Sequence, residues 1–587
     1  MSFLLRSSLL FILFGPAFQM AAQTPARQVI RLNQVGFYPS APKTAIVTEK
    51  GTGTFEVVNR HTGETVFSGV VEGPRTSGLS GKETWSADFS ALQDTGSFEL
   101  VLAGRHSSPP FQIREQVHAD AAAAALKSYY FQRMSTDLPE AYAGRWRRPV
   151  SHPDDRVVVH PSAAGPTRTA GTVISCPGGW YDAGDYNKYI VNSAVTVSTL
   201  LNLYEDFPDW FSGYRLAIPE EGNNLPDLLD EILWNLSWMR TMQDPADGGV
   251  YHKCTTPEFE GFILPEKAVQ TRYVVRKSSQ AALCFAATMA QAARVFQAFE
   301  TERPGLAGQF LLAAQDAWNW AKVKPNVRYN QNQLNERFDP DIKTGTYASR
   351  DLTDEKIWAA IELYLTTGDT AYIRSVELFP TEGITLQSWE DVRTMGYLSL
   401  LRHRTSLPAD TETTLRYLTN LFRAFVDGMS MHRNEQAYLT PMETDAANYV
   451  WGSNAVCANQ AMAFIYAYRL SQDPDHLYAA LDNVDYLLGR NATGYCYLTG
   501  FGTLSPRHLH HRPSQTDGID DPVPGLLVGG PNPFRQDNCP GYLGEHADES
   551  YVDDVCSYAS NEVAINWNAP LVYALFALDL LMPSETD

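Results

Sequence analysis

The chain carries only seven cysteines in 587 residues, and no two of them form a CxxC pair. Cys176, Cys254, Cys284, Cys457, Cys496, Cys539 and Cys556 are scattered and odd in number. That argues against a disulfide framework and a cysteine-rich zinc site, and reads most of them as small buried side chains. Positive charge is also scarce: 46 Lys and Arg stand against 67 Asp and Glu, for a net charge of −21. Nucleic acids and anionic membranes need basic surfaces, so neither is expected as a partner. Beyond the N-terminus no run is long and apolar enough to cross a bilayer. No strict repeat of about 33 to 50 residues is visible, which disfavours a solenoid.

What the chain does have is aromatic: 12 Trp, 29 Tyr and 27 Phe. A large core accounts for such numbers, and flat ring faces also suit sugars, so the count permits a carbohydrate ligand without showing one. The first residues read MSFLLRSSLLFILFGPAFQMAAQ, with one Arg ahead of an apolar run and small residues at Ala21 and Ala22. This is the pattern of a secretory leader, residues 1 to 22, and predicts a protein exported to the periplasm or beyond.

From residue 28 to 114 the pattern has period two. VIRLNQVGF, KTAIVTE, TFEVVNR and GSFELVLAG alternate between turns such as HTGE and QDTG, as in a β-sandwich. From 117 to 583 the character turns helical and stays so. In NLPDLLDEILWNLSWMRTMQDP, Asn224 is placed to cap, Pro226 falls in the first turn, and Leu228, Ile232, Leu236 and Met239 recur at helical spacing. Roughly a dozen such segments fit a closed ring of helix pairs, an (α/α)6 barrel with its site in loops at one end. The longest irregular stretch, Tyr495 to Asp554, is rich in Gly, Pro, Asp and His, and stretches of that length tend to be functional.

Three segments concentrate the chemistry. GGWYDAGDYNKY sets Asp182 and Asp185 among glycines. The residues alone leave it open between turn chemistry, a calcium loop, and a carboxylate pair that orients and deprotonates one water. YVDDVCSYASNEVAINWNA places Glu562 at the opening of the last apolar helix, with Asp553 upstream and Tyr558 and Trp567 nearby. A glutamate in a first helical turn is by default a dipole-stabilising residue, and a helix N-terminus favours its charged form. Service as a proton donor would need burial and neighbouring carboxylates to win. Between these segments, GFGTLSPRHLHHRPS supplies His508, His510, His511 and Arg512. No carboxylate or Cys stands at ligand spacing, so donors to hydroxyls and carboxylates fit better than a metal site.

Together the three segments resemble the signature regions of glycoside hydrolase family nine, the inverting cellulases, over nearly the whole mature chain. IRLNQVGFYP is similar to the start of the immunoglobulin-like domain that precedes the catalytic barrel in one branch. The resemblance implies an N-terminal immunoglobulin-like β-sandwich followed by an all-α (α/α)6 barrel. It implies Asp185 as general base, Asp182 as its partner in holding the water, and Glu562 as general acid. His510, Arg512, Asp553 and Tyr558 fall at sugar-binding or acid-tuning positions. The substrate implied is a β-1,4-glucan or an oligosaccharide of it, acted on by a monomer with no catalytic cofactor. One departure is Leu504, where the second signature usually has Asn, Lys or Arg, and it reads as a subsite difference.

Asp354, Glu355 and Asp391 resemble a calcium site of many relatives, although helix capping explains the first two as well. Relatives with a zinc site use Cys and His ahead of the aspartate loop. Here Cys176 and His160 do not complete a ligand set, and no zinc is expected. No cohesin-binding repeat or low-complexity linker is present. Exo-acting relatives, relatives specific for cello-oligosaccharides, mixed-linkage glucan, xyloglucan or glucosamine oligomers, and a non-catalytic glycan binder remain as alternatives.

Overall fold

The computed structural model describes residues 28 to 583, apart from 51, 52, 103 and 382. The expected leader lies outside the described residues. Between Ile30 and Ile113, nine strands form one hydrogen-bonded sheet, eight in a single path and His106–Ser107 paired beside it on Gly96–Leu102. The twelve-residue strand Thr65–Thr76 joins its two halves: its first part pairs with Thr54–Asn59, its second with Glu83–Asp88. Alternation puts Phe55, Val57, Ala87, Phe98 and Leu100 into a shared core. At its centre Phe37 meets Phe89 and Phe111 edge to face, with centroids 5.2 and 5.4 Å apart.

Eleven helices of ten residues or more follow among the described residues. They are α1 (Ala119–Gln132), α2 (Ile190–Asp206), α3 (Asp227–Thr241), α4 (Ser279–Phe296), α5 (Leu306–Val323) and α6 (Thr353–Thr367). Then come α7 (Arg393–Arg402), α8 (Glu412–Ser430), α9 (Ser453–Ser471), α10 (Pro474–Leu487) and α11 (Ile565–Leu581). The residue capping α3 is Pro226, not Asn224, whose backbone is left-handed at φ +68°.

Helices α2, α4, α6, α7, α9 and α11 are buried over most of their lengths, as expected of helices apolar all round. In that series α2 packs on α4, α4 on α6, α6 on α7 and α9 on α11, α8 bridges α7 and α9, and α11 returns to α2. One polar network joins the C-terminal ends of α2, α4, α7 and α9 to Glu362 in α6 and Tyr573 midway along α11. Asp206 accepts from Arg402, Tyr466 Oη (2.9 Å) and Tyr573 Oη (2.8 Å), while Arg294 joins Glu205 (2.8 Å) to Glu362 (2.9 Å). The network thus ties all six helices together.

The helical part also holds a five-stranded sheet made of Val157–Val159, Val173–Ile174, Lys188–Tyr189, Lys253–Thr255 and Tyr273–Val274. An unbroken helical character was the expectation. Strands of two or three residues are too short to show a period, and tertiary packing creates them. The N-terminal strands dock on the helices through polar contacts. Asn33 Nδ2 donates to Asp485 at 2.8 Å, Tyr38 Oη to Asp579 at 2.6 Å, and Gln34 Nε2 to the Gly494 carbonyl at 2.8 Å.

Candidate active site

The loops ahead of the buried helices carry the candidate residues. Gly178 and Gly179 adopt φ of +78° and +81°, open to glycine at little cost, and turn the chain toward Asp182 and Asp185. Both aspartates are almost fully buried. Asp182 receives Asn192 Nδ2 on one oxygen and Tyr347 Oη on the other, each at 2.7 Å. Asp185 receives Asn187 Nδ2 at 2.6 Å and Tyr189 Oη at 3.4 Å. Burial first, and the Asp185 charge second, push the Asp182 carboxyl well above the usual range.

Gly184 lies between this pair and the other end of the chain. Its carbonyl accepts Arg512 N at 3.1 Å and Arg512 Nη1 at 2.8 Å, and a Cβ there would collide with the His510 carbonyl oxygen. On the far side, His510 and Glu562 form a parallel bridge, and Glu562 faces Gly184. Glu562 is not in a helical turn: it is extended (φ −75°, ψ 162°), and α11 begins three residues later. The expected conflict with a helix dipole therefore does not arise. Burial, then the Asp185 charge, raise the Glu562 carboxyl well above its ordinary value, against the opposing pull of Arg512. Glu562 thus faces the two aspartates, and burial together with the Asp185 charge raises both its carboxyl and that of Asp182.

His510 Nδ1 donates to the Val555 carbonyl at 2.7 Å, and burial lowers its imidazole below the ordinary histidine value. Its ring meets Phe262 and Tyr558 edge to face, with centroids at 5.2 and 5.9 Å. Tyr558 packs in turn on Trp451 at 5.3 Å and donates to the Gln536 carbonyl at 2.8 Å. Arg512 is buried, donates to the Glu260 carbonyl at 2.7 Å and lies over the rings of Phe259 and Phe262. Asp553 uses its oxygens on the Arg507 and His508 N–H groups (2.9 Å each) and on Asn561 Nδ2 (3.0 Å). It therefore holds the histidine loop in place. Leu504 packs on the helical core, with its N–H on Gln34.

Cys539 and Cys556 form a single disulfide, a pair that their spacing does not announce. It closes a 17-residue separation in the segment that bears Asp553 and leads to Tyr558. The other five cysteines are buried and free. His160 engages Ser162 and the Pro340 carbonyl, at 2.8 and 2.9 Å. Among the described residues Asp354, Glu355 and Asp391 are not one group within ligand reach of each other, although the Asp354 and Glu355 side chains meet and the Asp391 charge acts on Asp354. Asp354 accepts from Val392 N, and Asp391 from Thr385 Oγ1 and Arg393 N. Glu355 is fully buried beside Asp354 and Gln280, and burial first, then Asp354, pushes its carboxyl well up. Among the described residues the one group of three such side chains within ligand reach is Cys539, Asp554 and Cys556, two of them already joined to each other.

Tyr347, Asn192, Phe259, Phe262 and Trp451 were not singled out from the sequence. Asn187 and Tyr189 lie inside GGWYDAGDYNKY, where their alternation is the available signal. Tyr347 carries none beyond being an aromatic ahead of a helix.

Residues 118–575 match the model of glycosyl hydrolase family 9, and residues 25–107 that of the cellulase N-terminal ig-like domain. The chain belongs to glycosyl hydrolase family 9. Among family 9 proteins it is 45% identical over 577 residues to a xyloglucan-specific endo-β-1,4-glucanase of Bacteroides ovatus, covering 97% of this chain and 98% of that one. Endoglucanase D of Acetivibrio thermocellus is 33% identical over 555 residues, covering 93% and 82%. A solved Bacteroides ovatus family 9 structure superimposes with a TM-score of 0.90 at 44% identity, over 94% of this chain and 99% of that chain. The family 9 chain described here is thus a glycoside hydrolase with an N-terminal immunoglobulin-like part and a helical catalytic part. No helix among its described residues is long and apolar enough to cross a membrane.

Proposed function

We propose that this chain hydrolyses β-1,4-glucosidic backbone bonds with inversion, and that xyloglucan is its preferred β-glucan. The observation that carries the reading is the buried Glu562 carboxyl, raised above its ordinary value by burial and the Asp185 charge, across Gly184 from the Asp182–Asp185 pair. Asp185 takes the proton from a water that Asp182 helps to orient, and Glu562 protonates the departing glycosidic oxygen. Inversion needs room for that water, with carboxyls roughly 6.5 to 9.5 Å apart. His510, Arg512 and Tyr558, with the rings of Phe259, Phe262 and Trp451, form the sugar-binding wall. Asp553 serves by ordering the histidine loop.

The ring of six buried helices with outer partners supports an (α/α)6 barrel spanning 117 to 583, with a sandwich over 28 to 114. We take the protein as an exported monomer, after loss of residues 1 to 22, that engages neither nucleic acid nor membrane. No cofactor enters the chemistry, and a calcium at Asp354, Glu355 and Asp391 would only be structural. Xyloglucan leads the alternatives because the 45% identical relative bears that specificity in its name.

The test is hydrolysis of xyloglucan, carboxymethylcellulose and cello-oligosaccharides, with NMR of the first product. Wild type should release the α-anomer and act fastest on xyloglucan, and Asp185→Ala should lose turnover on every substrate. Glu562→Gln should lose about 10²–10⁴-fold on natural substrates, the usual worth of general acid catalysis, but much less on an aryl glycoside whose leaving group needs no proton. A β-product would sink inversion. Binding without turnover would leave a glycan-binding protein.

A further inference from the structure

We infer that Asp154 is a positioning residue for the loop that bears Asp182 and Asp185, acting through two buried cations that grip the loop's carbonyls. The inference rests on the hydrolase reading for its kinetic readout only. Asp154 lies outside the site described above, is 5% exposed and has a left-handed backbone at φ +47°. A residue with a Cβ keeps such a conformation where its surroundings impose it. One carboxylate oxygen meets Lys188 Nζ at 2.7 Å and the other meets Arg272 Nε at 2.6 Å. Lys188 is fully buried and Arg272 nearly so, and burial of a charge is tolerated only with a partner.

Each cation then reaches the aspartate loop. Lys188 Nζ also donates to the carbonyls of Cys176 (3.0 Å) and Gly178 (2.8 Å), which completes its three donors. Arg272 Nη1 donates to the Tyr186 carbonyl at 2.8 Å. The grips fall on both sides of Asp182 and Asp185. The period of a strand explains the arrangement. In Asn187-Lys188-Tyr189 the outer two side chains face Asp185, so the middle one points away, toward Asp154. One short strand therefore orients the base on one face and anchors its loop on the other. Removing the Asp154 charge leaves two unpaired cations side by side and loosens three carbonyl contacts at once.

The test uses the full chain with Asp154→Asn and Arg272→Lys. Arg272→Lys keeps a cation beside Asp154 but loses the bond to Tyr186, so it also serves if Asp154→Asn does not fold. Both should cut kcat about 10–100-fold, the scale of a small misplacement of reacting groups, with KM changed less than about twofold. Amide exchange over residues 176 to 189 should accelerate in both while α4 and α9 exchange as in wild type. Folded variants with wild-type kcat and unchanged exchange would overturn the inference. A wild-type chain without hydrolysis would overturn the hydrolase reading instead, and the exchange data would then decide this one.

Discussion

At the residue scale, the site depends on which carboxyl holds a proton. Tyr347 donates to Asp182 and so favours its charged form, against burial and the Asp185 charge. Tyr347→Phe removes that help and raises the Asp182 carboxyl further. The acid limb of kcat/KM should therefore move to higher pH, and kcat should fall roughly tenfold or more, the worth of a hydrogen bond to a charged group. A pH–rate profile that superimposes on wild type would show that Asp182 does not act in its charged form. Gly184→Ala would drive a methyl into the His510 carbonyl and part the bridge to Glu562. It should abolish turnover in a chain whose helices melt as before, read by circular dichroism beside the assay.

At the scale of elements, the first turn of α6 holds a fully buried carboxyl, Glu355, beside Asp354 and Gln280. Its folded-state carboxyl titrates above the unfolded one. The folded state thus holds the extra proton, and stability falls as pH rises beyond the unfolded value. Glu355→Gln is neutral at every pH, so its melting temperature should gain on wild type as pH rises from about 5 through neutrality. A calcium-dependent rise in wild-type melting temperature that the variant abolishes would assign the carboxyl to a cation instead. The same scale shows what the sequence could carry. α2, α4 and α11 were legible because long apolar segments announce buried helices, and Asp182, Asp185 and Glu562 because their neighbours fit a known signature. The strand Lys188–Tyr189 was hidden, since two residues have no period. The extended backbone at Glu562 was hidden because local sequence does not place a helix start to within one turn. The disulfide was hidden because Cys539 and Cys556 meet only through the fold of a long loop.

At the scale of the whole molecule, the N-terminal strands and the helices share buried polar contacts, so neither part is packed independently of the other. Asn33→Ala would leave Asp485 without its interdomain donor, although Arg490 still faces it at 3.0 Å. The expected cost is about 1–3 kcal/mol, that of an unmade buried hydrogen bond, read as a lower melting temperature with kcat at 25 °C unchanged. A large loss of kcat in a stable variant would instead give the N-terminal part a share in catalysis.

The network around Asp206, Glu205 and Glu362 joins the C-terminal ends of α2, α4, α7 and α9 to α6 and α11, away from Glu562. It divides labour along the helix axes. Closure is secured at one end, so the segments ahead of each helix at the other end are free to change length and composition. A family built this way can acquire a new glucan preference by rewriting those segments while its foundation stays untouched.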